Sequence, residues 1–348
     1  MIIKPPGHPY EYPDYIEQSL NEFKSRDWTG KAFNDIVKEY RNTFVTIPTC
    51  HIVMPKGTVL FRGRKNEGDK LFTHLDEIGL KPKDKVHSLG RANIPGEAVF
   101  YACTNEETVA REVTQWYIND SGRAQDLITR RIMGMGWNAF TSFMTISAWH
   151  VTEDLNLALL FNADDQKRTA AIQAIALERT KPADGQSENY HKSFHKILDF
   201  FSNEFGKLDV KHELDYIYSA YYAYEIYHQS NKANPSLTLD GVKYASIAND
   251  CRGENVALCE TAFRKKISYL GANFCYTYNS NGRDIDGNKT ALTGRSKTAM
   301  LKDDNSFEWV HSEEEFDYIV KFNGEYIPFV LPSDSSRFKK AVVRIGNK

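Results

Sequence analysis

The chain has 348 residues, enough for one large domain or two. It is 41% hydrophobic and 13% aromatic, which suffices for a substantial core, while a net charge of −2 argues against a broad nucleic-acid-binding face, which carries a basic excess. No run of roughly 18 apolar residues occurs, so no membrane span is expected, and five cysteines without a CxxC pair point to reduced thiols in the cytoplasm instead of a disulfide framework or a zinc site.

The opening MIIKPPGHPYEYPDY lacks the apolar core of a signal peptide. From Pro13 to Phe44 apolar residues recur at three and four, predicting two helices broken at Asp27 and the WTGK that follows. TVLFRGR (58–64) reads as a strand followed by a polar loop. GRANIPG (90–96) is a turn, AVFYAC a strand, and the segment from about Asn105 a helix that Thr104 or Asn105 caps, with Glu106 and Glu107 in its first turn. FMTISAWHV (143–151) alternates like a strand, whereas DLNLALLF fits either an added strand or a helix start. DDQKRTAAIQAIALERT, YHKSFHKILDFFSNEFGKL and HELDYIYSAYYAYEIYHQSN read as helices, the last with tyrosines on more than one face. VKYASIAND and ENVALCE read as short strands. After Lys265 the pattern turns to strands, ending in DYIVKF-NG-EYIPF, whose Asn-Gly link specifies a tight hairpin. This divides the chain into an N-terminal helical segment (1–57), a central domain (58–264) with a helical insertion at about 160–235, and a β-rich C-terminal appendage (265–348).

Several residues invite a chemical reading beside a plain one. Arg62 and Arg64 alternate onto one face of a strand, where a pair of guanidiniums suits a phosphate; singly, each is an ordinary strand-exit arginine. Arg91 and Asn93 sit in a turn that Asn, Pro and Gly also explain by backbone geometry alone. Tyr101 reads equally as a half-buried aromatic, and Glu112 as a solvated helical acid. His191 and His195 stand four apart on a helix, but no third ligand is evident and the zinc-protease Glu is missing, so no metal is assigned. GRDIDGNKT (282–290) departs from a P-loop at Asn288 and lies among hairpins, so it too is set aside.

Taken together and in order, these motifs resemble the RES domain, a family named for an Arg, a Glu and a Ser. LFR supplies Phe61 and Arg62, GRANIPG supplies Arg91 and Asn93, VFYAC supplies Tyr101, and ETVAREV supplies Glu112. DGVKYASIANDCRGENVALCE supplies Asp240, Gly241, Tyr244, Ser246, Gly253 and Asn255. The resemblance spans roughly residues 58–260. It implies an α+β fold with an ADP-ribosyltransferase-like mixed β-sheet core, and an enzyme that consumes NAD at the nicotinamide–ribose bond, as a glycohydrolase or phosphorylase of the toxin type. Alternatives it leaves open are ADP-ribosyl transfer to a protein and a catalytically silent, RES-like interaction protein. It also implies a partner, an Xre-type antitoxin. NAD is then substrate and no bound cofactor is needed. The catalytic assignment is Glu112, Arg62 and Ser246. NAD binding falls to Arg62 first for the pyrophosphate, with Arg64 beside it, then to Arg91, Tyr101, Ser246 and Asn255. Arg62, Tyr101, Glu112 and Ser246 are expected to converge on one cleft.

Overall fold

The computed structural model describes residues 5–44, 47–67, 70–118, 142–160, 185–207, 210–233, 238–248, 253–283, 289–311, 318–322 and 325–329. In chain order the elements are α1 (Pro13–Ser25), α2 (Phe33–Phe44), β1 (His51–Met54), β2 (Val59–Lys65), α3 (Leu75–Ile78), β3 (Val99–Cys103), α4 (Glu106–Ile118), β4 (Ser142–Val151) and β5 (Leu155–Leu160). They continue with α5 (Glu188–Phe205), α6 (Ile217–Ala233), β6 (Gly241–Ala245), β7 (Glu254–Cys259), α7 (Glu260–Lys266), β8 (Ile267–Arg283), β9 (Lys289–Leu301), β10 (Phe307–His311), β11 (Tyr318–Phe322) and β12 (Glu325–Phe329). The fold is mixed α+β. The helix expected over DDQKRTAAIQAIALERT lies outside the described residues.

Contacts divide the chain into two compact units that interleave along the sequence instead of following in series. The first is Met1–Thr58, Leu80–Tyr101 and His150–Ser268; the second is Val59–Gly79, Ala102–Trp149 and Tyr269–Lys348. The expected N-terminal segment and helical insertion therefore belong to one unit with β5, β6 and β7. The expected C-terminal appendage belongs with β2 and α4.

In the first unit the strands run in the order β1-β5-β6-β7. β1 pairs antiparallel with β5 (His51 opposite Ala158), β5 parallel with β6 (Leu157 opposite Gly241), and β6 antiparallel with β7 (Tyr244 opposite Asn255). DLNLALLF is thus a strand, and the four-residue β1 is a strand that periodicity did not reveal. The helices form because their apolar spacing matches the turn. α1 starts on Pro13, pre-set for a first helical position, and buries Ile16, Leu20 and Phe23; α2 buries Ile36, Val37, Tyr40 and Phe44. Ser187 caps α5 by accepting the Tyr190 N–H at 3.0 Å. α6 is buried on nearly all sides from Ile217 to Tyr227, which is why its tyrosines occupy more than one face.

Aromatic side chains dominate this core. Tyr40 lies 4.6 Å from Phe44 and 4.8 Å from Tyr221, ring to ring, and Phe201 lies 4.9 Å from Tyr222. Several polar tips in this core find partners inside. The Trp28 indole donates to the Tyr218 hydroxyl (2.8 Å), which donates to the Phe23 carbonyl (2.7 Å), and Tyr222 donates to the Pro48 carbonyl (3.1 Å). Asp240, buried at the start of β6, pairs with Lys266 at 2.8 Å and accepts the Asn156 N–H at 2.8 Å, tying β5, β6 and α7 together.

The second unit orders its strands β3-β2-β4-β8-β9-β10, β3 contributing Ala102 and Cys103. β2 and β3 are antiparallel with Phe61 opposite Cys103, and β8, β9 and β10 form an antiparallel series. β11 and β12 pair as the expected two-residue hairpin, Phe322 opposite Glu325. A small core of Cys103, Val109, Ala110, Met144, Ile146 and Cys275, flanked by Phe61 and Val113, joins α4 to the strands. The C-terminal strands do more than cover an edge. Phe307 N–H donates to the Thr73 carbonyl (2.8 Å), Leu75 N–H to the Asn305 carbonyl (3.0 Å), and the Trp309 indole to the Phe72 carbonyl (2.7 Å). β10 and the turn before it therefore hold the segment that leads into α3.

Candidate functional site

The assigned residues fall into two groups, one in each unit, and each group has its own geometry. In the first unit the turn at 90–96 is built around Tyr101. Gly90 and Asn93 bridge one another, N–H to carbonyl, at 3.0 and 3.4 Å. The Tyr101 hydroxyl accepts the Ala92 N–H at 2.8 Å and donates to Asn93 Oδ1 at 2.8 Å. A Cβ at Gly90 would stand 2.3 Å from Asn93 Oδ1 and 3.2 Å from the Tyr101 hydroxyl. The first glycine of the motif is required because the Asn93 amide folds across it. Tyr101 is thus the pin that sets the turn, and the turn sets Arg91.

The Arg91 guanidinium points at the end of α5. It donates to the Phe205 carbonyl and, at 3.1 Å, to the Lys207 carbonyl, and it lies 5.2 Å from the centre of the Tyr216 ring. A cation at a helix C-terminus meets carbonyls that have no helical partner and the negative end of the dipole. Phe205 in turn packs on Tyr244 of β6, ring centres 4.9 Å apart. Tyr244 stands opposite Asn255, and Ser246, two residues on, extends the pairing through its N–H to the Gly253 carbonyl at 2.8 Å. Ser246 and Asn255 are both buried. Arg91, Tyr101, Ser246 and Asn255 are therefore linked within one unit through Phe205 and Tyr244.

In the second unit the organising residue is Gly63, between the two arginines. A Cβ there would meet Val113 at 2.5 Å and Val109 at 2.6 Å. Only a glycine lets α4 lie this close to β2, and α4 carries Glu112. Phe61 packs with Val109 and Val113 on the α4 side, so alternation sends Arg62 and Arg64 to the opposite face of the strand. There both reach the end of α3: Arg62 Nε donates to the Ile78 carbonyl at 3.2 Å, and Arg64 Nη2 to the Gly79 carbonyl at 3.1 Å. The expected common face of the two arginines is observed.

The charges of Glu112 and Arg62 both reach Cys103. Burial pushes this thiol well above its ordinary value; the Glu112 carboxylate pushes the same way and the Arg62 guanidinium opposes it. Cys103 is consequently a neutral thiol, not a nucleophile. α4 is capped by Asn105, whose side chain accepts the Thr108 N–H at 2.8 Å, and Arg111 pairs with Glu107 at 2.7 Å. Tyr101 and Ser246 lie in the first unit, Arg62 and Glu112 in the second.

Sequence reasoning did not single out Gly63, Cys103, Tyr216 or the Ile78 and Gly79 carbonyls. A glycine inside a strand followed by a valine-bearing helix was a legible signal for the first; the others depend on distant chain. The rings of His191 and His195 meet edge-on with centres 4.3 Å apart, and among the described residues no group of three or more potential ligands converges to hold a metal. No disulfide joins the four described cysteines, and no described helix is long and apolar enough to cross a membrane. The P-loop-like GRDIDGNKT lies largely outside the described residues.

No protein-family model matches the chain. No curated protein matches it either. Among solved structures, the crystal structure of the M. tuberculosis MbcT-MbcA toxin-antitoxin complex is a weak neighbour. The TM-score is 0.29 at 9% identity, covering 64% of this chain and 86% of the other. A likeness of that degree carries no argument about activity.

Proposed function

We propose that this protein consumes NAD by breaking the bond between nicotinamide N1 and ribose C1′. The observation that carries the reading is that motif residues within each unit are tied to one another, directly or through a shared neighbour. Tyr101 is bonded to Asn93, and Arg91 is linked through Phe205 and Tyr244 to Asn255 and Ser246. The charges of Arg62 and Glu112 both act on the Cys103 thiol, and Gly63 lets α4 lie close to β2. Such mutual support suits residues that must be pre-positioned.

In this reading the bonding pair leaves with nicotinamide, which departs neutral, and C1′ becomes oxocarbenium-like. The Glu112 carboxylate stabilises that developing positive charge. The arginines on β2 hold the pyrophosphate. The resemblance would give Tyr101 to the nicotinamide or its ribose and Ser246 to that ribose, with Asn255 bracing Ser246. A water or phosphate oxygen then bonds to C1′ and releases its proton to solvent, leaving ADP-ribose or its 1″-phosphate. The same chemistry is of toxin type, and an Xre-type antitoxin is the partner it would have.

The test is incubation of purified protein with NAD in phosphate-free buffer, in phosphate buffer and with cell extract. Free nicotinamide with an ADP-ribose product in the first two supports cleavage, and a phosphate-dependent rate identifies phosphorolysis. NAD that survives until extract is added, with label then appearing on one protein, assigns protein ADP-ribosylation instead. Glu112→Gln keeps the shape and removes the charge. Its turnover should fall by about a hundredfold or more with an unchanged melting temperature. Equal turnover would remove Glu112 from the mechanism.

A further inference from the structure

A cleft of about 180 Å³ lies between α1 and α2 in the first unit, and no motif residue lines it. Tyr15, Ser19, Glu22 and Arg26 follow one another at three and four along α1, and Glu39 and Thr43 do so on α2. Phe23 gives the cleft an apolar floor. It is buried, and the rings of Trp28, Tyr40 and Tyr218 hold it at 5.6, 5.7 and 5.0 Å between centres. The Tyr15 hydroxyl donates to the Thr43 carbonyl at 3.5 Å. Arg26 Nη2 lies 2.8 Å from Glu39 Oε1 and 3.5 Å from Glu22 Oε1. One nitrogen thus serves both acids, and the second oxygen of each carboxylate takes no bond from the described residues.

The observation that points to a ligand is Ser19, which lines this cleft and is only 4% exposed. Neighbouring hydroxyls turn back to a helical carbonyl, Thr43 to Glu39 at 2.9 Å and Ser25 to Glu22 at 2.9 Å. Ser19 makes no such bond, and its hydroxyl has no partner among the described residues. An enclosed hydroxyl without a partner is unfavourable. The space it faces is the cleft.

We propose that this cleft binds a small organic monocation, a primary ammonium on an apolar body about the size of a benzene ring. Two carboxylates against one guanidinium leave the site one negative charge, which a monocation neutralises and an anion does not. An ammonium has three N–H donors, and Glu22, Glu39 and Ser19 offer three acceptors. A cavity of about 150 Å³ encloses benzene, so the volume suits a ring with its amino group, lying on Phe23 and Tyr15. A metal ion fits less well, because Arg26 stands between the acids and, among the described residues, no three ligating groups converge. The inference makes no use of the NAD reading.

Amide NMR titrations of the full chain at pH 7 with benzylamine, benzyl alcohol and benzoate test it, since the three are close in shape and are positive, neutral and negative. Benzylamine should give saturable shifts in α1 and α2 around the cleft. Benzyl alcohol should bind at least about tenfold more weakly, and benzoate more weakly still. Glu39→Gln and Ser19→Ala should each weaken benzylamine binding by about fivefold. Both variants should fold, because the Glu39 pair is partly exposed and alanine is the better helix former. The melting temperature of Ser19→Ala should be unchanged or higher. Absence of saturable shifts with benzylamine, shifts confined to other elements, or equal affinity for benzoate or benzyl alcohol overturns the proposal. So does wild-type affinity in either variant, or a lowered melting temperature in Ser19→Ala, which would mean that the hydroxyl is bonded within the fold.

Discussion

The two units treat buried charge differently. The first buries the Glu225 carboxylate on α6 and sets Arg41 of α2 2.9 Å away; the second partly buries Arg64, and among the described residues no acid pairs with it. The same contrast separates two motif arginines. Arg91 has two carbonyls and an aromatic ring around its guanidinium, while Arg64 has one carbonyl and an enclosed, unbonded Nε. A charge answered from within is architecture. A charge left unanswered is held in place by the rest of the fold, and a binding site is a place where that serves a purpose.

Removing an answered charge should cost stability where the groups left behind stay buried. The largest loss is expected from Asp240→Ala, which leaves Lys266 without its partner and the Asn156 N–H without its acceptor. Breaking such a pair costs about 3 kcal/mol, measured by urea unfolding; a loss near zero would mean that α7 is not anchored through this pair. Arg91→Met should come next. It keeps the length of the side chain but gives up two hydrogen bonds from a charged donor, costing about 2 kcal/mol. A neutral result would move Arg91 from the architectural class into the same class as Arg64.

The smallest effect has the opposite sign. Burial raises the Glu225 pKa above the ordinary carboxylate value, with Arg41 opposing. The native state thus holds this proton more tightly than the unfolded chain does, so the contribution of Glu225 to stability declines as pH rises from about 4.3, the unfolded value, through the raised native one. Glu225→Gln should accordingly stabilise the protein by about 1 kcal/mol at pH 7, and the gain should shrink towards pH 4. Thermal melts of both proteins at the two pH values check it. A gain that is the same at both would show that Arg41 compensates the carboxylate fully.

Much of the secondary structure was legible. α1 and α2 follow from spacing of three and four, β2 and β4 from alternation, and the Asn105 cap from residue type. The ambiguity of DLNLALLF was real, because a short apolar run fits either element; β5 became a strand by lying between β1 and β6. β1 and α7 were missed because four and seven residues are too short to show a period. The interleaving of the two units is not legible in the sequence, since no local pattern records which segments meet.

The sequence by itself determined most of the longer elements, the order of the motif residues, and the shared face of Arg62 and Arg64, because side-chain direction along a strand is a local property. It could not determine which groups each arginine meets. The carbonyls that engage Arg62 and Arg64 belong to the end of α3, and α3 is held by a β10 segment more than two hundred positions away in the chain, through the bond from Trp309 to Phe72. Arg91 likewise met its partners only when α5 ended beside the turn. Tertiary structure decided the role of each charge because a charge is satisfied by whatever the folded chain brings within about 3 Å of it, and that neighbour is rarely close in sequence.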